Sequence, residues 1–201
     1  MNYRSLIVIA SLLVLSFGFL VAVAEGPQVV QLFPRAAETR LGMSISATKP
    51  KFTNETPVFH VTLNNAGDKD VMLNLGMMLA NGKVLLPDAI HLILIDSAGK
   101  SAELHFADRR YPGIAGRIDD YAVPLRVGSS YTLRLSLDNF WCPKMKEFRL
   151  KLKPGQYRVR SKFAGRGAQS VNGDMEGIRL MNFWQGALQS DVTTFLIGEQ
   201  G

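Results

Sequence analysis

Cysteine is almost missing from this chain: Cys142 is the one copy in 201 residues. A lone thiol excludes an internal disulfide, so stability must come from an apolar core, and 47% hydrophobic residues suffice for one domain. Cys142 stands between Trp141 and Pro143 with no histidine in its segment, so it reads as a small buried apolar group rather than a nucleophile. Pairing with a second chain stays open. Histidine is nearly as scarce. His60, His91 and His105 fall in none of the spacings that metal sites use, and the chain has no G-x-S-x-G elbow and no phosphate loop. No catalytic residue, metal site or cofactor is expected, and the chain reads as a non-enzyme. His60 and His105 fall on the polar phase of their strands, whereas His91 interrupts an apolar run and reads as a hydrogen-bonded core residue. Internal repeats, low-complexity tracts and any sustained helical period are also lacking.

What is present begins with a leader-like stretch. Residues 1–4 are short and positive, 6–21 are apolar apart from Ser11, Ser16 and Gly18, and Ala22-Val23-Ala24 sets small residues before Glu25-Gly26. This pattern predicts a cleavable signal peptide over 1–24, export, and no stable membrane span after cleavage. A retained anchor is the alternative, because 6–24 is close to the ~20 residues that cross a bilayer. With no cysteine near the site a lipoprotein is not expected. The unstapled chain points to a bacterial periplasm, cell envelope or secreted location. Residues 25–41, interrupted by Pro27 and Pro34, read as an extended lead-in.

From residue 42 the period is two. Met43, Ile45 and Ala47 alternate with Ser44, Ser46 and Thr48; Phe59, Val61 and Leu63 alternate with His60 and Thr62. Asn65-Ala66-Gly67-Asp68 is turn chemistry before Val71, Leu73 and Leu75, and Asn81-Gly82 is a two-residue hairpin signal. The run 90–95 predicts a central strand covered on both faces, and the turn 97–100 leads to a strand at 103–106. Residues 108–120, with Pro112, Gly113 and Gly116, read as a long loop. Tyr131, Leu133, Leu135 and Leu137 alternate with Thr132, Arg134 and Ser136. Phe148, Leu150 and Leu152 alternate with Arg149, Lys151 and Lys153 before Pro154-Gly155, which suits a type II turn; Tyr157, Val159 and Phe163 then alternate with Arg158, Arg160 and Lys162. The Gly-rich 164–181 reads as a second loop and 192–197 as the last strand. Eight or nine short strands predict an all-β fold, an antiparallel immunoglobulin-like β-sandwich over 42–198.

Three segments carry a resemblance. Val61-Thr62-Leu63-Asn64-Asn65 with Asp68-Lys69-Asp70-Val71, Leu152-Lys153-Pro154-Gly155-Gln156-Tyr157-Arg158-Val159, and Trp184-Gln185-Gly186-Ala187-Leu188-Gln189-Ser190 are similar to segments of exported bacterial immunoglobulin-like domains. The order of elements also resembles the BsuPI-type proteinase-inhibitor domain, with no inhibitory loop matched. The motifs record turns and core positions, so the resemblance implies a fold and carries over no site. It leaves two readings: a non-enzymatic exported binding or structural module, or an inhibitor of, or accessory subunit to, a secreted enzyme such as a protease.

Charge supplies the candidate contact residues. Residues 144–166 hold nine Lys and Arg against the single Glu147. Arg149, Lys151, Arg158, Arg160 and Lys162 form a candidate anion site if the segment is a hairpin; if Pro154-Gly155 arches between sheets the patch is halved, and the arch is the reading we favour. The long loops offer Arg109, Arg110, Tyr111 and Arg117, and Asn172, Asp174 and Arg179, as candidate partner contacts. The expected partner is an unidentified protein or anionic polymer; nucleic acid is not expected. Asp119-Asp120 and Asp174 with Glu176 read as solvated turn carboxylates rather than a calcium loop. Trp184 reads as core, and Trp141 as core or an aromatic platform.

Overall fold

Alternating sequence becomes strand only where a backbone edge finds a partner, and most of this chain's alternating runs do. The computed structural model describes residues 40–48, 55–79, 82–107, 117–145, 150–169 and 181–198, all within the unit Pro34–Gly201. The expected signal peptide, 1–24, and the lead-in up to residue 39 lie outside the described residues. Among the described residues run β1 (Leu41–Ala47), β2 (Val58–Asn65), β3 (Val71–Leu79), β4 (Val84–Leu86), β5 (Ile90–Ile95), β6 (Ser101–Phe106), β7 (Ile118–Leu125), β8 (Ser130–Ser136), β9 (Phe140–Trp141), β10 (Gly155–Gly165), β11 (Gly186–Gln189) and β12 (Thr193–Ile197). They form three sheets, ordered β1-β2-β8, β4-β3-β7 and β11-β10-β5-β6-β9, with β12 also paired to β10. The strand pairs are antiparallel and the sheets do not close, so the chain is all-β in a form compatible with a sandwich.

One core joins the sheets. Phe59, Val61 and Leu63 of β2 are fully buried, as are Leu73 and Leu75 of β3, Ile90 and Leu92 of β5, and Val159 and Phe163 of β10. Phe59 meets Phe195 of β12 edge-on at 5.2 Å, so the first and largest sheets pack through an aromatic pair. Each such side chain contributes about 1.5–3 kcal/mol by leaving water. Trp184 is buried as expected, stacked on Phe163 at 5.6 Å. Gly165 makes room for it: a Cβ there would lie 2.3 Å from the indole.

Polar groups inside are tied to backbone. Asn65, 2% exposed, donates through Nδ2 to the carbonyls of Lys69 and Leu125, and its Oδ1 accepts from Gly67 N, which joins the β2–β3 and β7–β8 connections. Asn74 does the same at a bulge in β3, donating to Asp120 and the Gly167 carbonyl and accepting from Gly76 N. Ser190 spans the gap between β11 and β12: its N–H donates to the Ser161 carbonyl, and its Oγ accepts from Ser161 N.

Several expectations are corrected. Leu150 to Lys153 are not a strand, because β10 already pairs with β5 on one edge and with β11 and β12 on the other. Leu150 and Leu152 pack against the core instead. The loop expected over 108–120 ends earlier: Ile118, Asp119 and Asp120 belong to β7, whose Pro124 is tolerated because β7 is an edge strand. The loop expected over 164–181 starts later, since β10 runs through Gly165, and β11 forms at Gly186–Gln189, where no strand was expected. β5 is central but not covered on both faces: Ile90, Leu92 and Leu94 are buried, and His91, Ile93 and Ile95 only partly. Leu79 pairs with Val84, so the Asn81-Gly82 connection has four residues between paired positions rather than two.

Candidate functional site

The outer face of the largest sheet carries the densest chemistry of the described residues. Register puts it there. Lys162 on β10 lies opposite His91 on β5, His91 opposite His105 on β6, and His105 opposite Trp141 on β9. Four strands thus present one transverse row on the face away from Leu92, Leu104 and Phe163. The imidazoles of His91 and His105 stack with centroids 4.2 Å apart and planes 19° apart, and Trp141 stands edge-on to His105 at 6.4 Å. Glu103, two residues before His105 and so on the same face, accepts from His91 Nδ1 at 2.8 Å and from Lys162 Nζ at 3.1 Å.

These contacts set the charges. The hydrogen bond from His91, and then that from Lys162, hold the Glu103 carboxyl down at about 2. Burial, and then the neighbouring His91, push the His105 imidazole below its ordinary value. Further along β10, Arg160 donates to the neutral Gln189 at 3.3 Å. Arg158 is exposed and lines, with Asp96, Ser97, Gln156 and Thr194, an open depression of about 260 Å³. That depression is open and lined by polar and charged residues, so it suits a surface contact rather than an enclosed small molecule.

Of the expected anion site, Arg158, Arg160 and Lys162 share this face, and Lys151 is exposed ahead of β10. Arg149 lies outside the described residues. The hairpin that would bring all five together does not form, because both edges of β10 are occupied. An arch between sheets is not seen either, because residues 150–153 form no strand and β9 and β10 belong to one sheet; at the corner Gly155 has φ 147° and the Tyr157 hydroxyl donates to the Lys153 carbonyl. Of the expected loop contacts, Arg117 is exposed and donates through Nε to Asp119 at 2.7 Å. Arg109, Arg110, Tyr111, Asn172, Asp174 and Arg179 lie outside the described residues. Asp119 and Asp120 are not turn carboxylates: both lie in β7, and Asp120 accepts from Asn74 and from Gln169 N. Cys142 is buried.

His91, Glu103 and His105 are the residues that spacing did not join. His91 is not core, and His105 is not simply solvated. The signal lay in the turn at 97–100: counting outward from Ile95 opposite Ser101 lands His91 on His105. Asp96 holds that turn by accepting from the backbone N–H groups of Ala98 and Lys100.

No family model and no curated protein matches the chain. It is similar to the solved structure described as "X-ray structure of Northeast Structural Genomics Consortium target SoR45", with 13% identity over 81% of this chain and 87% of that one, at a TM-score of 0.30.

Proposed function

We propose that this chain is a non-enzymatic, exported binding module of the immunoglobulin-like sandwich type, and that the outer face of its largest sheet binds an acidic polymer. The observation that carries the reading is the alignment of Arg158, Arg160 and Lys162 on one face of β10, beside the row of His91, His105 and Trp141. Three cations spaced along a strand track a repeating anion, and flat aromatic rings beside them add contact area. Glu103 offsets Lys162, so the net attraction rests on Arg158 and Arg160. Export is supported by Arg4, the apolar run and Ala22-Val23-Ala24. The sandwich type is supported by the Tyr157 corner, whose hydroxyl bonds back to the chain a few residues upstream as in such domains.

Heparin serves as the test polymer. The chain is expected to elute from a heparin column well above physiological salt, and a variant with Arg158, Arg160 and Lys162 replaced by Ser to elute markedly earlier. Elution at low salt, unchanged in the triple variant, would sink the reading. Intact-mass measurement of the protein recovered after secretion tests export separately: a species beginning at or near Glu25 is expected, and retention of 1–24 means an anchor.

A further inference from the structure

We propose that His91, Glu103 and His105 form a binding site for one divalent transition-metal ion of the Zn²⁺ and Cu²⁺ class. One ligand atom from each of the three residues lies within 4.8 Å of the others. Two imidazole nitrogens and one carboxylate are the donor set of borderline metals; calcium and magnesium take oxygen donors instead. The scaffold is stiff where it matters. His91 and His105 are directly opposed on adjacent strands of a paired hairpin, and Glu103 is two residues from His105 on the same face. Their backbone spacing is therefore set before any ion arrives. All three side chains are half-buried, which leaves an ion able to enter and one or more positions for water or an outside ligand.

Two present contacts oppose the ion. The imidazoles lie nearly parallel, so at least one ring turns about its side-chain torsions to aim a lone pair at a shared centre. Lys162 shares Glu103 Oε1 with His91, so its ammonium must withdraw as the carboxylate turns to the metal. The sheet therefore holds the ligands in a closed, internally bonded state that the ion exchanges for coordination, and Lys162 is a built-in competitor. This inference is independent of the acidic-polymer reading, since its readouts are metal-specific.

The test uses the full chain, purified without a histidine tag, stripped with chelator and titrated with ZnCl₂ by calorimetry. One equivalent is expected to bind saturably. His91→Ala and His105→Ala are each expected to weaken binding by at least about tenfold, matching what lesser outer contacts of metal sites already cost. Lys162→Met, which removes the competitor, is expected to tighten it, and Arg158→Ser to leave it unchanged. A variant-free measurement guards against folding defects. In the imidazole region of the NMR spectrum, Zn²⁺ is expected to shift His91 and His105 and to leave His60 in place. The absence of saturable binding at one equivalent, or binding that survives the double replacement of His91 and His105, overturns the proposal.

Discussion

The Tyr157 hydroxyl donates to the Lys153 carbonyl at 3.1 Å, four residues back along the chain. The bond closes the bend through Pro154-Gly155, and the ring stacks on Phe195 at 5.8 Å. Tyr157→Phe keeps the stacking and loses one hydrogen bond, so it is expected to cost about 0.5–1.5 kcal/mol. Tyr157→Ala loses both and is expected to cost about 3 kcal/mol or more. Urea midpoints measure the two. Equal losses for Phe and Ala would mean that the bond, not the packing, holds the corner.

Asn65 is tied to three backbone groups while almost fully buried. Asn65→Ala strands the Lys69 and Leu125 carbonyls and is expected to cost about 1–3 kcal/mol. Asn65→Asp aims a carboxylate at those same carbonyls and is expected to be worse at neutral pH. Folding would raise the pKa of that carboxyl above its unfolded value. Stability is then recovered below the unfolded value and lost as pH rises through the folded one. Thermal melts from acid to neutral pH check the slope.

Two glycines with positive φ separate strain from clash. At Gly99 (φ 81°) an added Cβ meets nothing within 4 Å, so Gly99→Ala is expected to cost only the backbone strain, about 1–2 kcal/mol. At Gly76 (φ 145°) an added Cβ would come within 2.1 Å of the Leu86 carbonyl oxygen and 2.4 Å of Asp88 Oδ1. Gly76→Ala is expected to cost well beyond that and to loosen the bulge that seats Asn74. Comparable melting temperatures for the two variants would show that the β3–β4 hairpin yields easily.

Gly165 is the floor beneath Trp184. In a Trp141→Phe background, where Trp184 is the only indole left, Gly165→Ala is expected to shift its emission to the red as the ring leaves the core. An unshifted spectrum with normal stability would place the slack in β11 instead.

How much of this was legible follows from where each residue's information lies. β2 was readable because Phe59, Val61 and Leu63 carry their own alternation, and the structure buries all three. β7 was hidden because Ile118 faces solvent and Pro124 sits within the strand. β11 was hidden because Gly186-Ala187-Leu188-Gln189 owes its conformation to pairing with β10 rather than to its own side chains. Leu150 and Leu152 show the reverse: the period was there, but every edge of β10 was taken. The histidine cluster depended on a pairing register across the β5–β6 turn, which no linear motif encodes.

Thr62 and Thr132 share a hydrogen bond across β2 and β8 from positions 70 residues apart, and Lys162 reaches Glu103 from 59 residues away. Among the described residues β1–β2, β3–β4 and β5–β6 are antiparallel hairpins between consecutive strands, and the last two have the shortest connections. The order of assembly follows: these local hairpins form early, and the largest sheet waits for β10 to find β5 across a wide excursion of chain. Such a topology refolds in milliseconds to seconds rather than microseconds. Over that interval the apolar face of β10 has no cover, which makes dilution, more than temperature, the variable that decides the yield of native protein.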